Sequence, residues 1–72
     1  MIYGNRILHR NLEGNDVQEL QQRLEQLNYI VPVDGKFSPP VEKAVKKFQQ
    51  ANGLKADGIV GPETFRALEL AA

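Results

Sequence analysis

Asp34 and Asp57 each stand directly before a glycine, 23 residues apart in the chain. Two carboxyl groups held on either side of a sugar are the apparatus of glycoside cleavage, one acting as general acid and the other as base or nucleophile. The same pairing has a structural use. An Asp in a tight loop turns its carboxylate back onto backbone N–H groups a residue or two further on. The Asp-Gly dipeptide favours this second use. Gln21 and Gln49 pose a related choice, since each follows an inward apolar residue near one of these loops. An amide offers two donors and an acceptor, so it can satisfy a loop backbone or reach a ligand. The structural role is again preferred.

Other chemistry is scarce. His9 is the only histidine, Ser38 the only serine, and cysteine is absent. Disulfides and thiolate nucleophiles are excluded, and a metal site of the usual His/Cys type cannot be assembled. A Ser–His–Asp arrangement would use Ser38, which stands where a helix cap is needed. No catalytic set, metal or cofactor is expected.

The elements that must position these residues follow from the pattern. Residues 1–15 lack a helical period, and Gly4, Asn5, Asn11, Gly14 and Asn15 punctuate them. They read as an extended arm, with Ile7, Leu8 and Leu12 free to pack downward. Val17, Leu20, Leu24 and Leu27 then recur at helical spacing. Asp16 is expected to cap this helix, with Glu19 completing a capping box, and Asn28 to stop it, giving a helix over 16–28. A loop holds Pro32 and Asp34-Gly35. Ser38 is expected as the next cap, with Pro39 at the first helical position. Val41, Ala44, Val45 and Phe48 make the inward stripe of a helix over 39–52, closed by Asn52-Gly53. Gly61 and Pro62 open the last helix, over 62–70. The fold class is all-α: one domain spanning 1–72, a compact three-helix bundle with an irregular N-terminal arm.

The segment Asp34–Val45 aligns without gaps on Asp57–Leu68. Asp, Gly, Pro and Ala match, and Leu20-Gln21 upstream echoes Phe48-Gln49. The chain is two helix–loop–helix units sharing the middle helix, the first with the longer connection. Phe37 and Val60 are equivalent and are expected in the core. Lys36 is equivalent to Ile59, and Glu42 to Phe65. Lysine is almost never fully buried unless paired, so Ile59 is expected at the surface, as an incidental aliphatic or as a contact. Phe65 either faces outward or packs on Leu8 or Leu12 of the arm; the packing is preferred.

Charge bounds the partners. Nine basic and nine acidic residues give zero formal net charge, whereas nucleic-acid affinity rests on a basic excess. No apolar run approaches the roughly 18 residues of a membrane span, and the first six residues do not read as a signal peptide. Any targeting segment is expected on a part of the parent chain outside this sequence.

With Asp16-Val17, Leu20-Gln21, Asp34-Gly35-Lys36-Phe37, Phe48-Gln49, Gly53-Leu54 and Asp57-Gly58-Ile59-Val60-Gly61-Pro62-Glu63-Thr64 in this order, the sequence resembles the peptidoglycan-binding domain family of bacterial and phage wall hydrolases. The resemblance covers about residues 6–70. The first copy departs from it: Val41 replaces the family's Thr and loses its hydroxyl, and Asn11 and Asn28 stand where Gly is usual. The resemblance implies a non-catalytic module, monomeric, that tethers a linked or partner hydrolase, or a phage or secretion component, to peptidoglycan. It implies work at the cell wall, in the periplasm or outside the cell, or on a phage particle, with no nucleic acid and no membrane insertion. The expected contact surface lies between the two Asp-Gly loops. Tyr29, Lys36, Ile59 and Phe65 would supply its faces, and Asp34, Asp57 and Thr64 its polar groups. Lys43, Lys46 and Lys47 form a basic face of the middle helix, either solvated or set to meet an acidic polymer or partner. The rival readings are a protein-assembly module on the same fold and, disfavoured by charge, a helix-turn-helix DNA binder.

Overall fold

A computed structural model describes residues 6–71; the first five residues of the predicted arm lie outside the described residues. Three helices follow the arm: α1 (Asn15–Gln26), α2 (Pro39–Ala51) and α3 (Pro62–Leu70). Leu8, Val17, Leu20, Leu24, Phe37, Val41, Val45, Phe48, Val60 and Leu68 fill one shared core. Phe37 and Val60 are both inside it, as the repeat predicts.

The start of α1 differs from expectation. Gly14, not Asp16, is the cap residue, and no side chain caps the helix. The first helical bond runs from the Gln18 N–H to the Gly14 carbonyl. Asp16 lies inside the first turn, where its carboxylate accepts from the Val17 N–H and from Arg6 of the arm, at 2.7 Å from Nε. A negative group there suits the positive end of the helix dipole. Asp16 thus stands at the second helical position, past the cap, so it forms no capping box with Glu19.

Two helices end alike. Asn28 has φ 74° and Gly53 φ 70°. After α1 the Tyr29 N–H reaches the Leu24 carbonyl and the Asn28 N–H the Glu25 carbonyl. After α2 the Leu54 and Gly53 N–H groups reach the Gln49 and Gln50 carbonyls in the same pattern. Both are Schellman closures, which need a left-handed residue just past the end. The α1 closure stops the helix two residues short of the predicted 28.

Ser38 occupies the cap position of α2 in extended backbone, yet its hydroxyl makes no capping bond. Pro39 and Pro40 explain this: they carry no N–H, so the donors a cap serves are largely gone. The donor that remains, on Val41, goes to the Ser38 carbonyl.

The arm is built into the fold through backbone bonds. Leu8 and Val60 exchange N–H···O bonds of 3.1 and 2.8 Å in an antiparallel bridge. Further along, Asn11 and Leu12 bond to Phe37, and Gly14 to Gly35. The arm thus fastens both Asp-Gly loops. At the far end Arg23 of α1 donates to the Leu68 and Ala71 carbonyls, closing the C-terminus of α3 with a cation.

Candidate functional site

Each Asp-Gly loop closes around a buried glutamine. In the first, Gln21 Oε1 accepts from the Asp34 and Gly35 N–H groups, and Nε2 donates to Asp34 Oδ1 and the Lys36 carbonyl. In the second, Gln49 Oε1 accepts from the Gly58 N–H, and Nε2 lies within 3.2 Å of Asp57 Oδ1, the Ile59 carbonyl and Thr64 Oγ1. The Thr64 contact has no counterpart in the first copy, where Val41 stands. Both amides are fully engaged, consistent with the structural role preferred for them.

The aspartates complete these loops. Asp34 Oδ1 accepts the Lys36 N–H and Asp57 Oδ1 the Ile59 N–H, at 3.0 and 2.9 Å. Gly35 and Gly58 have φ 78° and 75°. At Gly58 a Cβ would also lie 2.9 Å from Glu42 Cγ, so the loop rests directly on α2. The Asp34 carboxyl is held below its ordinary value, chiefly by the Gln21 amide and then by the Lys36 N–H. Asp57 is lowered mainly by the Ile59 N–H, with Gln49 adding to it. A general acid needs the opposite shift. In this structure both carboxylates close their loops.

The predicted site residues separate into groups. Asp57, Ile59 and Thr64 line an open depression of about 190 Å³ between the second loop and the start of α3, with Gln49, Leu54, Lys55, Gly61, Pro62 and Glu63. Ile59 is 44% exposed and Thr64 is buried. Tyr29 lines a different and larger depression, about 450 Å³, along the outer side of α2. The two share no lining residue, and Asp34 and Lys36 line neither. The two loops are anchored to different helices, the first through Gln21 of α1 and the second through Gln49 of α2. Phe65, 7% exposed, belongs to the core with Leu8 and offers no ring to a ligand. Its counterpart Glu42 stays half-buried, 3.7 Å from Arg10 of the arm.

Leu54, Lys55, Pro62, Glu63 and Ile30 were not foreseen in these depressions. Leu54 and Tyr29 share one signal, the residue after a left-handed helix terminus. Ile30 is 98% exposed beside the buried Val31. His9 is exposed, with Nδ1 at 2.9 Å from the Arg10 carbonyl. Among the described residues no group of three or more His, Cys, Asp or Glu could hold a metal ion. Nor is any helix among them long and apolar enough to cross a membrane.

Three helices, two glutamine-anchored loops and a shared middle helix define a recognised class. The chain belongs to the family described as "Putative peptidoglycan binding domain", whose model matches residues 13–68. It is similar to the N-acetylmuramoyl-L-alanine amidase CwlM of Mycobacterium tuberculosis, 47% identical over 58 residues, covering 79% of this chain and 14% of that protein. It is similar also to the spore cortex-lytic enzyme of Halalkalibacterium halodurans, 35% identical over 68 residues, covering 93% of this chain and 21% of the enzyme. The solved SleB N-terminal domain matches with a TM-score of 0.89 and 37% identity, covering 93% of each chain. The chain thus spans well under two thirds of either enzyme it matches.

Proposed function

We infer that this chain is a binding module for peptidoglycan, without catalytic machinery of its own, which holds a linked or partner wall hydrolase, or a phage or secretion component, on the wall. It acts as a monomer at the wall, in the periplasm or outside the cell. A weak module suffices, because tethering makes each later encounter intramolecular. The observation that carries this reading is the depression at the second Asp-Gly loop. Leu54, Ile59 and Pro62 supply apolar lining, and Lys55, Asp57 and Glu63 supply polar groups of both signs. A sugar presents that same combination, C–H faces edged by hydroxyls.

The test is Ile59→Lys. Ile59 lies at the surface where the first copy has Lys36, so the melting temperature should stay within a few degrees, as surface changes cost about 0.5 kcal/mol or less. The unmodified chain should co-sediment with purified insoluble wall and not with cellulose or chitin, and the variant should lose most of that binding. A chain that does not co-sediment would end the wall reading. An unchanged melt with unchanged binding would remove Ile59 from the contact surface.

A further inference from the structure

The larger depression carries a separate inference, one that rests on the wall-binding reading. It is lined by Asn28, Tyr29, Ile30, Pro40, Lys43, Ala44 and Lys47. Its position comes from a difference between the two repeats. Past the α2 closure only Lys55 and Ala56 precede the second Asp-Gly pair, whereas Ile30, Val31, Pro32 and Val33 precede the first. The longer segment buries Val31 and leaves Ile30 standing in solvent next to α2. Tyr29 is fixed beneath it, its ring edge-on to Phe48 at 6.2 Å between centroids.

The lining holds two lysines and no acid. Both are exposed, and neither side chain takes part in an ion pair or hydrogen bond among the described residues. The three-lysine face of α2 divides here. Lys46 instead lies against the second loop, its Cε 3.0 Å from where a Cβ on Gly58 would be. Lys43 and Lys47 are one helical turn apart, which places their Cβ atoms about 5–6 Å from each other. An apolar ledge beside two such cations fits a ligand that brings both aliphatic groups and carboxylates. A phosphate polymer brings charge without the aliphatic groups. A glycan strand whose lactyl groups carry stem peptides brings no free carboxylate.

We propose that the Tyr29–Ile30–Lys43–Lys47 groove binds the acidic stem peptide of peptidoglycan, apart from the sugar-facing depression at the second loop. The experiment is an NMR titration of the full chain, 15N-labelled, with three probes. They are a synthetic alanyl-γ-glutamyl-diaminopimelyl stem peptide, the same peptide with every carboxylate amidated, and a glycerol phosphate oligomer. The acidic peptide should shift the amides of Tyr29, Ile30, Lys43 and Lys47, and the amidated peptide should not. Lys43→Gln/Lys47→Gln should weaken the peptide at least fivefold with an unchanged melt, and Ile30→Ser should weaken it at constant charge. Equal shifts from the amidated peptide, shifts confined to Asp57, Ile59 and Thr64, or stronger shifts of the groove by the phosphate oligomer would each overturn the assignment. Co-sedimentation with insoluble wall keeps the two readings apart. Wall binding with a silent peptide titration sinks the groove alone. Peptide binding in the groove without wall co-sedimentation upholds the groove and sinks the module reading.

Discussion

Gln21 and Gln49 do the same work with different partners, and that difference can be measured. Gln21→Leu leaves the N–H groups of Asp34 and Gly35 and the Lys36 carbonyl without their partner. Orphaned groups cost about 1–3 kcal/mol each when buried, and water recovers part of this at a half-exposed loop. Urea unfolding should therefore show a loss of about 2–4 kcal/mol. Thr64→Val reproduces the first copy and removes one acceptor from an amide that keeps two others, so its cost should be about 1 kcal/mol. A Thr64 variant as damaging as the Gln21 variant would contradict this account. The loop aspartates give a pH dependence. Asp34 and Asp57 have folded pKa values below the ordinary 3.8, so the folded chain binds fewer protons than the unfolded one near that pH. Their contribution is present above the ordinary value and lost as pH falls through the lowered one. Thermal melts should be flat in this respect down to about pH 4 and decline below it, and Asp34→Asn/Asp57→Asn should flatten that decline. The loop role of these four residues was legible because Asp-Gly and a nearby Gln repeat. The true partner of Asp16 was not, because Arg6 reaches it from the arm and no local rule indicates that contact.

Helix ends were readable where the backbone itself decides them. Asn11 and Asn28 both have positive φ, 80° and 74°. Asn28→Ala should destabilise by about 1–2 kcal/mol, the cost of a left-handed conformation for a residue with a Cβ. Asn28→Gly should be close to neutral. A pair of chemical melts separates them, and equal losses would show that the Asn28 side chain, not its backbone, terminates α1. Helix starts were less readable. Capping rules pointed to Asp16 and Ser38, but a glycine turn and a double proline satisfy or remove the donors those side chains would serve. The basic face of α2 was visible as a run of lysines. Its division between Lys46 and the pair Lys43 and Lys47 depends on where the two loops land on that helix, which only packing determines.

For the whole molecule, the repeat placed Phe37 and Val60 correctly in the core and Ile59 at the surface. At Phe65 the preferred reading, packing with the arm, holds and the bare equivalence does not: Glu42 at the same position has an arm residue, Arg10, to hold its charge, while Phe65 fills the core with Leu8. Equivalence by sequence does not carry over where the arm breaks the symmetry. Phe37 joins the arm to the core: its ring is buried, and its backbone bonds to Asn11 and Leu12. Phe37→Ala should cost about 3–5 kcal/mol, the usual loss for a buried Phe. A melt within a few degrees of the parent would show that the arm and loops hold without this ring. The arrangement of the two ends bears on a different property, resistance to force. One end is fastened by Arg6 to Asp16 and to the Glu13 carbonyl, the other by Arg23 to the carbonyls of Leu68 and Ala71. When the chain is pulled between its ends, tension reaches these two guanidinium ties first. Under such a load the chain is expected to yield at these arginine ties before its core is stretched.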